Sequence, residues 1–187
     1  MKRNARNTIQ RTFNQLYGEI CWGFHWDRQL NLSLSFEQPL LRIREATESK
    51  SKSPRIRDHF SRRRVSVKGA GWLWLRCAYW KIAMNGITLA TGSSSFRKIQ
   101  VAMARLEGQK LINVNVDPRT GATRFEFDFG GALEVRRFEP NSEDELWLLY
   151  KPNGYVLSVF GNGRYSHVPG SDADGRTRVE LRKIADD

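Results

Sequence analysis

The residues best suited to chemistry lie close together: Lys50, Lys52, Arg55, Arg57, Arg62, Arg63 and Arg64, followed by Trp72, Trp74 and Trp80. Lysine and arginine neutralise phosphates, and indole rings stack on bases, so cations beside exposed rings suit single-stranded nucleic acid. The same pairing suits a protein–protein hot spot, where Trp and Arg are enriched. These ten positions are the candidate residues for binding nucleic acid or another partner.

Other constellations offer less. The chain has no Gly-x-Ser-x-Gly, no His-Glu-x-x-His, no phosphate-cradling Gly-rich loop and no dinucleotide fingerprint. His25, His59 and His167 fall in three different elements, and His25 and Asp27 sit together at a strand end beside a turn. Glu126 and Asp128 share one face of Phe125-Glu-Phe-Asp-Phe129, opposite the three Phe. A carboxylate pair suits a hard cation, but a wet strand face accounts for it more simply. Cys21 and Cys77 lie in aromatic-rich apolar strands and read as small buried hydrophobes. The expectation is a non-enzymatic protein with no catalytic residue, no metal and no cofactor.

The formal charge of +11 over 187 residues is uneven. Lys2, Arg3, Arg6 and Arg11 have no acidic neighbour in residues 1–11. Residues 42–68 hold ten cations (the seven above with Arg42, Arg44 and Lys68) against Glu45, Glu48 and Asp58, and the remainder balances. An arm and an insertion therefore carry the surplus. The Ser/Lys/Pro-rich run from Thr47 to Asp58 has the composition of a mobile, solvated loop. No apolar run reaches the ~18–20 residues of a membrane span. The Arg-rich, acid-free start is like a mitochondrial presequence, but a basic amphipathic helix explains it as well. A cytoplasmic protein with reduced thiols and no membrane partner is expected.

A duplication organises what lies behind these residues. Ile9, Phe13, Leu16 and Gly18 correspond to Ile99, Met103, Leu106 and Gly108 at helical spacing, with Gly where a helix ends. The period then becomes 2: Trp22, Phe24 and Trp26 answer to Ile112, Val114 and Val116, and Leu30, Leu32, Leu34 and Phe36 to Thr123, Phe125, Phe127 and Phe129. Third strands start at Leu40 and Leu133, Trp72–Leu75 matches Leu146–Leu149, and Asn85-Gly86 parallels Asn153-Gly154 as hairpin turns.

The run from Arg63 to Gly170 resembles an uncharacterised family of small bacterial β-rich proteins. The resemblance rests on Trp74-Leu, Leu89-Ala-Thr-Gly-Ser-Ser, Leu106-Glu-Gly-Gln109, Phe125-Glu-Phe-Asp-Phe-Gly-Gly131, Trp147-Leu-Leu-Tyr-Lys-Pro152 and Tyr165-Ser-His167. It implies a β-rich fold and brings no catalytic residue. The duplicated small-β layout is also similar to immunity-type proteins that neutralise toxins.

The expected fold is α+β, mainly antiparallel β: two tandem helix-plus-antiparallel-sheet repeats sharing one core about a pseudo-twofold axis. Residues 1–92 form repeat one with the basic insertion 46–64, residues 93–170 form repeat two, and 171–187 form a polar C-terminal tail. The expected function is binding of an acidic partner, nucleic acid or a ribonucleoprotein, through the basic arm and insertion. The alternative is an immunity-like or host-defence module that grips a protein through its aromatic strand.

Overall fold

In a computed structural model of the chain, residues 5–27, 31–171 and 180–185 are described. Lys2 and Arg3 of the basic arm, Leu30 and most of the C-terminal tail lie outside them. The described residues form a mainly antiparallel β structure of two sheets with three short helices.

Chain order runs α1 (Ala5–Asn14), β1 (Trp22–Trp26), β2 (Leu32–Arg44), α2 (Pro54–Phe60), β3 (Arg64–Leu75), β4 (Ala78–Met84) and β5 (Ile87–Thr91). It continues with α3 (Phe96–Leu106), β6 (Leu111–Val116), β7 (Thr123–Phe127), β8 (Gly131–Arg137), β9 (Glu145–Tyr150), β10 (Tyr155–Phe160), β11 (Arg164–Pro169) and β12 (Arg182–Lys183). From Ala5 onward the basic arm is helical; Ile9 and Phe13 bury one face of α1, and Leu16 is buried in the turn that follows.

Both helices end as their Leu-x-Gly signature predicts, with Gly18 at φ +88° and Gly108 at φ +87°, a region glycine enters without a Cβ clash. The two ends then pair with each other. Gly18 N donates to the Leu111 carbonyl at 2.8 Å and Gly108 N to that of Cys21 at 2.8 Å. Cys21 N donates to the Gln109 carbonyl at 2.9 Å and Leu111 N to that of Glu19 at 3.0 Å. Ile20 and Lys110 face one another at the centre of this set.

Each helix leads into a three-strand meander, β1-β2-β3 and β6-β7-β8, but neither meander is completed by its own hairpin. The larger sheet has the order β1-β2-β3-β9-β10-β11-β12, and the smaller β5-β4-β8-β7-β6. Strands from residues 1–92 and 93–170 thus lie side by side in both sheets, meeting at β3–β9 in the larger and at β4–β8 in the smaller. Trp72–Leu75 and Trp147–Leu149, matched as equivalents in the sequence, are hydrogen-bonded neighbours in one sheet: Trp74 lies opposite Leu148 and Leu75 opposite Trp147. The sheet change occurs at Cys77, whose φ of +49° ends β3 and sends β4 to the other sheet. Cys77 is consequently exposed, contrary to expectation, whereas Cys21 is buried.

One core joins both sheets with α1 and α3. At its centre the rings of Phe13, Phe125 and Trp147 meet edge to face at 5.7–5.9 Å, and Trp147 Nε1 donates to Thr123 Oγ1 at 2.8 Å. That bond satisfies a polar group which would otherwise be stranded in the core. A register shift and a strand end explain two misplaced apolar residues. A shift between Leu111 and Asn113 turns Ile112 outward. Phe129 lies beyond the end of β7 and is 72% exposed.

No separate strand starts at Leu40. A bulge at Glu37, with φ +62°, lets β2 continue to Arg44. Asn85-Gly86 makes the expected turn with φ of +48° and +81°. At Asn153-Gly154 only the glycine is left-handed, because Pro152 and Asn153 lengthen the loop that Lys151 N closes on the Tyr155 carbonyl at 2.9 Å.

Candidate nucleic-acid interface

Beyond the bulge, β2 and β3 leave the body as a two-stranded ribbon, paired from Leu40–Lys68 out to Arg44–Arg64. The basic segment is the ordered tip of this ribbon rather than a loose loop. Pro54 starts the short helix α2. Thr47 N donates to the Phe60 carbonyl at 2.8 Å, the Arg57 guanidinium donates to the Ser51 and Lys52 carbonyls at 3.1 and 3.0 Å, and Arg44 donates to that of His59. These bonds replace the apolar core that the composition lacks.

Direct cross-strand pairing sorts the ribbon into two faces. Leu41 lies opposite Val67 and Ile43 opposite Val65, giving an apolar face on which all four side chains are more than half exposed. The other face carries Arg42 opposite Ser66, Arg44 opposite Arg64, and Lys68 opposite Leu40. Strand alternation carries this basic face into the body along the same side of β3. Lys68 Nζ lies 3.0 Å from the centre of the Trp72 ring. Trp72 and Trp74 stack at 5.8 Å with 13° between their planes, Tyr150 reaches Trp72 at 4.8 Å, and Arg76 stands 5.4 Å from Trp74. Leu73 and Leu75, pointing the other way, are fully buried.

The row Arg44, Arg64, Arg42, Lys68, Trp72, Trp74 and Arg76 is therefore one continuous basic and aromatic stripe. Its electrostatics are poorly compensated. Burial and the neighbouring Arg42 push the Lys68 amine down to about 8. Arg76 has a carboxylate partner, Glu145, at 3.6 Å. The outer face of the smaller sheet is different. There a cleft of about 700 Å³ is lined by Tyr79, Lys81, Arg124, Glu134 and Arg136. Its charges are matched: Lys81 meets Glu134 at 2.7 Å, while Arg124 bridges Glu126 and Glu134.

The structure divides the ten expected site residues. Trp72 and Trp74 lie half-buried on the stripe, and Arg64 joins them from the ribbon. Lys50, Lys52, Arg55 and Arg57 are exposed at the tip. Arg62 and Arg63 are also exposed at the tip but engaged, with Asp58 at 2.7 Å and Glu45 at 2.9 Å. Trp80 does not belong. It is fully buried in the other sheet, because the chain changes sheets between Leu75 and Ala78.

Arg42, Arg44, Lys68, Arg76 and Tyr150 complete the surface and were not singled out as site residues in the sequence. Even-numbered parity along β3, extended outward past Gly69-Ala-Gly71, is the signal that finds Lys68 and joins it to the expected Arg64. Tyr150 needs the pairing of β3 with β9.

Elsewhere, the Glu126 carboxylate accepts from Arg124 Nε at 2.8 Å and Asn113 Nδ2 at 2.9 Å, which hold it below the usual carboxylate range. Asp128 accepts from Lys110 N at 2.9 Å. Among the described residues, no cluster of three His, Cys, Asp or Glu could hold a metal ion, and no helix is long and apolar enough to cross a membrane. Comparisons with protein-family models, curated proteins and solved structures find no match to this chain. The functional reading rests on this geometry.

Proposed function

We propose that the protein is a non-enzymatic nucleic-acid-binding protein whose ribbon arm and tip engage the phosphate backbone. One observation carries the reading: the cations of the ribbon's two strands, Arg42, Arg44, Arg64 and Lys68, fall on a single face, and Lys68 links that face to the partly buried tryptophans of the body. A two-stranded ribbon with a basic face is a shape that nucleic-acid grooves and strands accept. Lys50, Lys52, Arg55 and Arg57 extend the contact at the tip.

Salt titration of binding to generic single-stranded and duplex nucleic acid tests this. Each neutralised phosphate steepens the log–log salt slope by ~0.7–0.9. Replacing residues 47–64 with a neutral Gly/Ser linker should flatten that slope. Absence of binding at low salt, or an unchanged slope in the linker variant, sinks the reading.

A second reading, an immunity-like or host-defence module that binds a protein, draws support from the exposed Leu41, Ile43, Val65 and Val67 face. It predicts a partner captured at high salt and lost on Leu41→Ser and Val67→Ser.

The scaffold itself is read as a duplication about a pseudo-twofold axis through the Ile20–Lys110 pairing. The supporting observation is that the four hydrogen bonds around that pair exchange into one another under a shift of 90 positions. The matching meanders, each finished by a hairpin from the other half, point the same way.

A further inference from the structure

The aromatic part of the stripe can do something the ribbon cannot. Trp72, Trp74 and Tyr150 form a connected set of rings on the outer face of the larger sheet. Their cross-strand neighbours on β2 are the small Ser33 and Ser35; on β9 Trp74 lies opposite the buried Leu148, and all three rings are partly exposed. Each end of the tryptophan pair is closed by a cation, Lys68 over Trp72 and Arg76 over Trp74. A cation on a ring face occupies the place a stacked base would take.

Building on the nucleic-acid reading above, we propose that this surface is a stacking platform for the unpaired bases of single-stranded nucleic acid, and that Lys68 and Arg76 move from the rings to phosphates when bases arrive. Bases in a duplex already cover one another's faces, so rings lying along a sheet reach them only in an unpaired strand. Lys68 is the readier of the two caps to move. Its charge is partly desolvated and repelled by Arg42, and a phosphate relieves both conditions. Arg76 must also loosen its contact with Glu145. The ribbon's exposed Arg42 and Arg64 then follow the backbone away from the platform, while Arg44 holds the tip through the His59 carbonyl and the Phe60 ring.

The test compares three polyanions at one salt concentration: oligothymidylate, a duplex of equal length, and heparin, which has charge but no bases. Wild type should bind oligothymidylate about tenfold or more tightly than the duplex, with quenching of tryptophan fluorescence that heparin does not produce. Trp72→Ala and Trp74→Ala should each weaken oligothymidylate binding by roughly 5- to 150-fold, the range for loss of one stacked base, and leave heparin binding unchanged. Trp72→Phe keeps a ring and should restore most of the affinity, which separates stacking from misfolding. Equal weakening toward heparin and oligothymidylate, or no weakening in either alanine variant, overturns the platform while leaving phosphate binding intact. Failure to bind all three polyanions overturns both readings.

Discussion

The Lys68 ammonium stands 3.0 Å from the centre of the Trp72 ring, and Arg42 is the charged neighbour that repels it. The pair joins the ribbon to the body, and it has a pH signature. Folding lowers the Lys68 pKa to about 8 from an unfolded value near ~10.4. Below pH 8 the amine is protonated in both states, so the unfavourable burial of charge is fully felt. Between about pH 8 and ~10.4 the folded protein sheds the proton first, and this group's penalty is relieved as pH rises. Urea unfolding of wild type and Lys68→Met from pH 7 to 10 should show wild type gaining relative to the variant. A constant difference across that range contradicts the burial of this charge.

Trp72 and Trp80 should behave as opposites. Trp80→Ala empties a fully buried site and should destabilise the protein by ~3–5 kcal/mol. Trp72→Ala removes a half-buried ring and should be much milder in thermal unfolding. Comparable losses of stability would mean that the platform is core.

The helix-ending glycines offer a backbone test. A Cβ added at Gly18 or Gly108 meets nothing within 4 Å, yet both have φ near +88°. Gly→Ala at either should cost ~1–2 kcal/mol from the left-handed conformation alone. Similar values at the two sites, measured by denaturant unfolding, are expected. A negligible effect at either site would show that its helix end can relax.

The thiols should separate by accessibility. Cys77 is exposed, while burial pushes the Cys21 thiol up to about 12, with its Sγ donating to the Leu106 carbonyl at 3.1 Å. One cysteine should react with an aromatic disulfide reagent in the native protein and two after denaturation. Two fast native reactions would contradict the packing of the α3 end against residue 21.

The features legible in the sequence are those with a local cause. Helix ends, hairpin turns and the alternation of Phe125 and Phe127 follow from nearest neighbours and came out of the sequence directly. Phe129 and Ile112 did not, because a strand end and a register shift each reverse the inside–outside parity that alternation assumes. The ribbon tip looked shapeless because its order comes from arginine-to-carbonyl hydrogen bonds rather than from apolar residues, and composition counts only the latter. Residue type groups Trp80 with Trp72 and Trp74, and the chain's change of sheet at Cys77 has no strong marker in residue type. Tyr150 joins the platform through pairing between residues more than seventy positions apart, which no local pattern records.

The lending of each hairpin to the opposite meander has a consequence during synthesis. Until Glu145–Tyr150 has left the ribosome, the body portion of β3 has a bare hydrogen-bonding edge beside its tryptophans, a template for unwanted pairing. Shortening the gene to its first half would make that vulnerable stage permanent. The first half alone would therefore present this edge unpaired, although the cations and rings of the stripe all lie upstream of the midpoint apart from Tyr150.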